Sequence, residues 1–166
     1  MSIITYKQIG IIHTPFKNVD GMPIQPAAAS GTEGKIEVFG EYCLGLQDLE
    51  GFSHIIILYH LHQVGSSRLK VIPFLDTQER GVFATRAPVR PNPIGLSIVE
   101  LISRENNILT VKNIDILDGT PLIDIKPYIE QFDHPLQTKA GWYEKTQGEL
   151  KTTTADARFK SNLPRT

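Results

Sequence analysis

Two guanidiniums and an amide, those of Arg86, Arg90 and Asn92, share a short run of chain that has little freedom to bend. The run spans residues 81–97 and reads Gly-Val-Phe-Ala-Thr-Arg-Ala-Pro-Val-Arg-Pro-Asn-Pro-Ile-Gly-Leu-Ser. Pro88, Pro91 and Pro93 fix their own φ and supply no backbone N–H. The residues before them, Ala87, Arg90 and Asn92, are driven out of the helical region into extended conformations. The spacing therefore predicts a stiff, extended loop that cannot lie inside a sheet. In a polyproline II course, with about three residues per turn, Arg86 and Asn92 project to one side and Arg90 to another. Planar, permanently charged donors on a fixed backbone suit a carboxylate, a phosphate or a nucleobase edge. A plain surface loop with solvated arginines has the same composition.

Two other groups of residues carry chemistry. His54, His60 and His62 fall on one face of an apolar run, and His-x-His on a strand can hold a metal ion. His54 lies six residues from His60, so the three cannot converge without a bend, and no thiol is nearby. The expectation is no metal, with His62 and Gln63 offering hydrogen bonds to a ligand at the strand end. Asp115, Asp118, Asp124 and Lys126 crowd around Asp118-Gly-Thr-Pro121. Asp-Gly between strands favours a tight turn, because both residues tolerate φ > 0. Charges on exposed strand faces are also common. No glycine-rich dinucleotide fingerprint, phosphate-binding loop or nucleophile elbow occurs.

The elements that position these residues are mostly strands. Residues 4–14 read as a first strand ending at Pro15, and residues 16–34 as a long loop around Pro23-Ile-Gln-Pro26. Residues 35–39 form a short strand, and 41–49 carry Tyr42, Leu46 and Leu49 at helical spacing. Residues 53–63 are the strongest core strand, with Ile55, Ile57, Tyr59 and Leu61 on one face. Residues 69–74 read as a strand interrupted by Pro73. Residues 94–103 and 108–117 read as two longer strands joined by a turn at 105–107, and residues 121–128 as a last one. Many short strands with one probable helix predict a mainly β domain, a closed or strongly curled antiparallel barrel with one or two short helices, not a Rossmann fold.

At 166 residues the chain has the size of one domain. Residues 1–135 are expected to form the barrel. Residues 136–166, poor in apolar side chains after Trp142 except Phe159, read as a tail packing on it or on a partner subunit. Cys43 is the single cysteine, which excludes an internal disulfide and a cysteine-rich zinc site. The longest wholly apolar run, residues 55–59, is too short to span a bilayer, and no leader pattern is seen, so a soluble cytosolic protein is expected. Net charge is −1, yet residues 68–90 carry five basic against two acidic side chains, and residues 139–166 six against three. Each region is thus +3, enough to guide a nucleic acid or an acidic ligand.

With these residues in view, the chain resembles the TsaA-like or TrmO family of tRNA methyltransferases. The resemblance rests on Ile9-Gly-Ile-Ile-His-Thr-Pro-Phe16, Leu49-Glu-Gly-Phe-Ser-His54, the whole 81–97 run, and Asp118-Gly-Thr-Pro through Asp124-Ile-Lys-Pro-Tyr128. It spans roughly residues 5–130. It implies a β-barrel enzyme that binds S-adenosylmethionine near a homodimer interface. The reaction implied is methylation of the N6 nitrogen of threonylcarbamoyladenosine, next to the anticodon in tRNA. Carried over by position, cofactor contacts fall on Pro23, Gln25, His62, Gln63, Arg86, Leu96, Asp118, Gly119, Thr120 and Pro121. The roles that follow give Arg86 a carboxylate, Asp118 a polar part of the cofactor, Arg90 and Asn92 the incoming nucleotide, and His62 either the acceptor's proton or a packing contact with the adenine. Arg86, His62 and Asn92 are the catalytic candidates. Ile24 departs from the family's bacterial pattern, which has arginine there, and the chain reads as a short form without the bacterial C-terminal domain. The competing expectations are a non-catalytic S-adenosylmethionine-binding module and a barrel that binds another small anionic metabolite through Arg86 and Arg90.

Overall fold

The computed structural model describes residues 2–19, 29–74, 76–146 and 159. Its strands are β1 (Gly10–His13), β2 (Glu33–Val38), β3 (His54–His60), β4 (Lys70–Val71), β5 (Arg80–Gly81), β6 (Ile94–Glu105), β7 (Ile108–Lys112) and β8 (Thr120–Pro127). Six of them close into a barrel in the order β1, β2, β7, β6, β3, β8, with β8 returning to β1. Every neighbouring pair is antiparallel. The remaining two, β4 and β5, form a separate ribbon. The expected closed, mainly β architecture is therefore what the chain adopts.

Alternation explains the wall. In β3 the side chains of Ile55, Ile57 and Tyr59 point inward and are buried, while His54, Ile56, Leu58 and His60 face out. Ile12, Ile36, Val99, Leu109, Val111 and Leu122 fill the interior with them, all essentially without solvent exposure. Each such side chain contributes about 1.5–3 kcal/mol by leaving water. β6 and β7 form a hairpin whose turn places Asn106 at φ 55°, a left-handed conformation that asparagine tolerates.

Several boundaries differ from the sequence expectation. β1 begins at Gly10 rather than residue 4, because β2 ends at Val38 opposite Gly10 and leaves residues 2–8 without a partner strand. Residues 41–49 form no α-helix but two 3₁₀ turns, Gly40–Leu46 and Leu49–Gly51, separated by Asp48 at φ 64°. The strand expected over 69–74 shrinks to β4, since Pro73 has no N–H to continue a ladder. The strand expected over 108–117 stops at Lys112. Asn113 turns it at φ 63°, and the following loop drops Ile114 and Ile116 into the barrel as a plug. The Asp118-Gly119 turn, with Gly119 at φ 74°, thus joins a loop to β8 and is not a hairpin between neighbouring strands. The one α-helix among the described residues is the single turn α1 (Glu130–Asp133).

A second, smaller core stands beside the barrel. Val71, Val82, Ala87, Val89 and Phe159 are buried together, with Phe74 edge-on to Phe159 at 5.1 Å. Trp142 donates from its indole N–H to the carbonyl of Ala84 at 2.7 Å, and Arg80 lies over its ring. Trp142 and Phe159 therefore pack against the proline-rich loop of their own chain. The rest of the expected tail, residues 147–158 and 160–166, lies outside the described residues. Among the described residues no helix is long and apolar enough to cross a membrane.

Candidate functional site at the barrel mouth

Antiparallel closure sends the ends of β1, β3 and β7 and the starts of β2, β6 and β8 to the same end of the barrel. The chain leaves β3 through His60, Leu61 and His62, enters β6 from the proline-rich loop, and enters β8 from the Asp118-Gly119 turn. His62 and Gln63, Arg86, and residues 118–121 are distant in sequence, and this topology brings them to one mouth.

The proline-rich loop is braced from within. The Arg90 guanidinium donates from Nη1 to the carbonyls of Thr85 (2.9 Å), Val82 (3.1 Å) and Ala87 (3.5 Å), and lies over the Phe83 ring. Thr85 adds a bond from its hydroxyl to the Val82 carbonyl and accepts the Ala87 N–H. Arg90 is therefore turned into the loop through Nη1, where the sequence expectation gives it the incoming nucleotide. Free carbonyls in a proline-rich segment need donors, and Arg90 is the donor. Arg86 sits between buried Thr85 and Ala87, is itself exposed, and makes no hydrogen bond or ion pair among the described residues. Asn92 is exposed at the loop's end, where its carbonyl accepts the Ile94 N–H.

On the β8 side, the acidic turn is stapled to β1. Asp118 accepts the Thr14 N–H at 3.0 Å on one oxygen and the Lys17 ammonium at 2.6 Å on the other. Lys17 first, then the Thr14 N–H, hold its carboxyl below the usual range. The Gly119 N–H reaches the Ile12 carbonyl at 2.9 Å. Both Asp118 oxygens thus have partners within the chain. Asp124 instead pairs with Lys126 along β8, so the acidic residues do not form one cluster.

His62 and Thr120 meet at the rim. The single Thr120 proton goes to the Leu117 carbonyl at 2.6 Å, so in the 3.4 Å contact with His62 Nδ1 the imidazole is the donor. In that tautomer Nδ1 carries the proton and Nε2 the lone pair. Burial and the neighbouring His60 push the His62 pKa down, keeping the ring neutral. Gln63 is exposed beside it. A shallow polar depression of about 340 Å³ continues the rim on the β1–β2 side, between His13, Lys17, Lys35 and Asp118.

One feature of the mouth escapes the sequence expectation. Tyr59, counted there with the apolar face, bonds through its hydroxyl to Ser97 at 3.0 Å, and Ser97 donates to Asp115 at 3.1 Å. The signal for it is Ser97 itself, a hydroxyl in the inward phase of β6 beside Val99, where a polar group must find a partner.

Other expected residues lie elsewhere. Leu96 is on the outer wall, opposite Leu58 and half exposed. Pro121 pairs with Ile11 at the start of β8. Pro23 and Gln25 lie outside the described residues. In the basic stretch 68–90, Lys70 pairs with Glu79 and Arg80 with Asp76, so its excess positive charge rests on Arg68, Arg86 and the inward-turned Arg90. Among the described residues no group of three potential ligands gathers for a metal ion.

Comparison with known proteins bears on the family and the fold. Residues 11–134 match the family model described as tRNA-methyltransferase O N-terminal domain. A protein of Pyrococcus abyssi named as a probable S-adenosyl-L-methionine-binding protein is 51% identical over 159 residues, covering 96% of this chain and 86% of its own. The tRNA (adenine(37)-N6)-methyltransferase of Escherichia coli is 39% identical over 139 residues, covering 78% of this chain and 59% of its own. The crystal structure of TrmO from Pseudomonas aeruginosa superposes with a TM-score of 0.72 at 34% identity, over 85% of this chain and 63% of that one. The chain thus spans less than two thirds of the solved protein it matches.

Proposed function

Because the chain belongs to the tRNA-methyltransferase O family, we propose that it transfers a methyl group from S-adenosylmethionine to tRNA. The proposed acceptor is N6 of the adenine at position 37 in its threonylcarbamoyl form, the position being the one in its E. coli relative's name. The observation that carries this reading is the meeting of His62, Arg86 and the 118–121 turn at one barrel mouth. The mouth suits such a donor. It offers a guanidinium that is unpartnered among the described residues for a carboxylate, and an imidazole that is uncharged and so does not repel a sulfonium.

The donor supplies an activated methyl group that is open to in-line displacement by the acceptor nitrogen. The chain supplies alignment, worth up to about 7–11 kcal/mol when reacting atoms are well placed. Arg86 anchors a carboxylate from a backbone that Arg90 and Thr85 hold rigid. His62, with Nε2 unprotonated, takes the proton that the acceptor nitrogen must lose. Asn92, exposed at the end of the same loop, faces the nucleotide. A second copy of the chain covers the apolar outer wall of β3 and β6, where Leu96, Ile98 and Ile102 are 40–52% exposed.

Incubation with methyl-labelled donor and unfractionated tRNA, followed by nucleoside mass spectrometry, tests the assignment. A mass increase of one methyl on threonylcarbamoyladenosine is expected. Label in another nucleoside would move the acceptor. The names of its archaeal relatives favour a second reading, a binding module without chemistry. Tight binding of S-adenosylhomocysteine with no label in any tRNA would establish that one instead.

A further inference from the structure

Asp115 stands at the mouth with no part in the chemistry described so far. Its backbone is fixed between Ile114 and Ile116, both buried in the barrel plug. Its carboxylate accepts the Ser97 hydroxyl proton, and because Ser97 has only that one to give, Tyr59 is the donor in the next link. Tyr59 in turn is held by shape. Its ring lies across Gly95, its partner in β6, so closely that a Cβ there would overlap the ring. Ser97 is 3% exposed and Tyr59 8%, so the chain of bonds that aims Asp115 is dry and rigid.

Arg86 is the counterpart. Its positive charge is felt by both Asp115 and Tyr59, yet it bonds to neither. A guanidinium and a carboxylate thus stand within electrostatic reach of each other, each on its own braced support, and among the described residues neither makes an ion pair. Burial pushes the Asp115 carboxyl above the usual range, and the Ser97 bond and the charge of Arg86 only partly offset this. A half-buried carboxylate in that state is stabilised by an incoming cation. Opposite charges held apart match a ligand that carries both.

We propose that Arg86 and Asp115 together read the zwitterionic amino-acid end of the methyl donor, Arg86 taking its carboxylate and Asp115 its α-ammonium. The proposal rests on the donor assignment made above and adds Asp115, with Ser97 and Tyr59 as positioning residues, to the binding site. It also accounts for a carboxylate at the mouth that has no cation in contact with it among the described residues.

Calorimetric titration with three ligands isolates the claim. S-adenosylhomocysteine has both charges, its decarboxylated analogue keeps only the amine, and 5′-methylthioadenosine has neither. Asp115→Asn should weaken the first two by about tenfold to a hundredfold, the range for losing a charged hydrogen bond, and leave the third unchanged. Arg86→Gln should weaken only the first. Ser97→Ala, which keeps the carboxylate and removes its guide, should weaken the amine-bearing pair by a smaller factor. Unchanged binding of 5′-methylthioadenosine also certifies that each variant is folded. Equal losses on all three ligands, or no loss on any, in Asp115→Asn would overturn the proposal while the donor assignment stands. Failure of the wild-type chain to bind any of the three would overturn both.

Discussion

Replacing Arg90 with methionine keeps the aliphatic stem and deletes the group that gathers the loop's carbonyls. Nη1 carries two protons, so of its three contacts those at 2.9 Å and 3.1 Å count as full bonds and the one at 3.5 Å as a shared fringe. A hydrogen bond to a charged group is worth about 1.5–3 kcal/mol. Arg90 is half-buried, so the lower end applies, and the two bonds together come to about 3 kcal/mol. At about 1.4 kcal/mol per factor of ten, local opening of the loop should become about a hundredfold more frequent. The Thr85 N–H, bonded to the Val82 carbonyl, and the Ala87 N–H, bonded to Thr85 Oγ1, report this directly. Hydrogen exchange at those two amides should accelerate by about that factor, while the amides of β6 and β7 keep their protection. S-adenosylhomocysteine affinity should fall in Arg90→Met much as in Arg86→Met, although Arg90 touches no ligand. Unchanged exchange at Thr85 and Ala87, with a loss confined to tRNA binding, would place Arg90 on the nucleic acid and refute the bracing argument.

Gly95→Ala should destabilise the fold by about 1–3 kcal/mol, because the added carbon meets the Tyr59 ring and forces it off Ser97; a melting temperature equal to wild type would show that the ring is not pinned. Burial and the charge of His60 lower the His62 pKa below its ordinary 6.5. The proton acceptor is therefore present at neutral pH and is lost only as pH falls through that lowered value. The kcat–pH profile should hold flat down past 6.5 and then drop, a limb missing in His62→Gln; a drop centred above 6.5 would assign it to another group. Ile98, 40% exposed on the outer wall, is the place to break a dimer. Ile98→Lys should yield a monomer by light scattering, and a persistent dimer would move the contact to a different surface.

The strand faces were legible wherever one side of the wall is dry. Ile55, Ile57 and Tyr59 alternate with outward residues because burial imposes a period of two, and that period shows in the residue types. Asn106 was legible as a turn for the same local reason. The residues after Lys112 were misread because Ile114 and Ile116 also alternate, but they alternate as a plug. A single left-handed residue, Asn113, decides between the two, and its φ leaves no periodic trace. Closure through β1 and β8 joins segments about a hundred residues apart, and no window of sequence reports it. At the proposed site, Arg86 and His62 stand out in the sequence by type and position. Arg90 was assigned outward because a lone arginine in a proline-rich run looks the same whether it serves a ligand or its own carbonyls. Asp115 was seen only as one more charge, since its meaning comes from Ser97 across the barrel.

Each of the six barrel strands has a neighbour on both sides, and this restricts how copies of the protein can meet. Backbone groups in the wall are already spoken for, so one molecule cannot extend the sheet of another. The two-residue β4–β5 ribbon is too brief to serve as a template. Association through the barrel wall must then be written in side chains on its outside. Relatives with the same barrel can therefore pair differently, or stay single, through a handful of surface changes that never disturb the mouth.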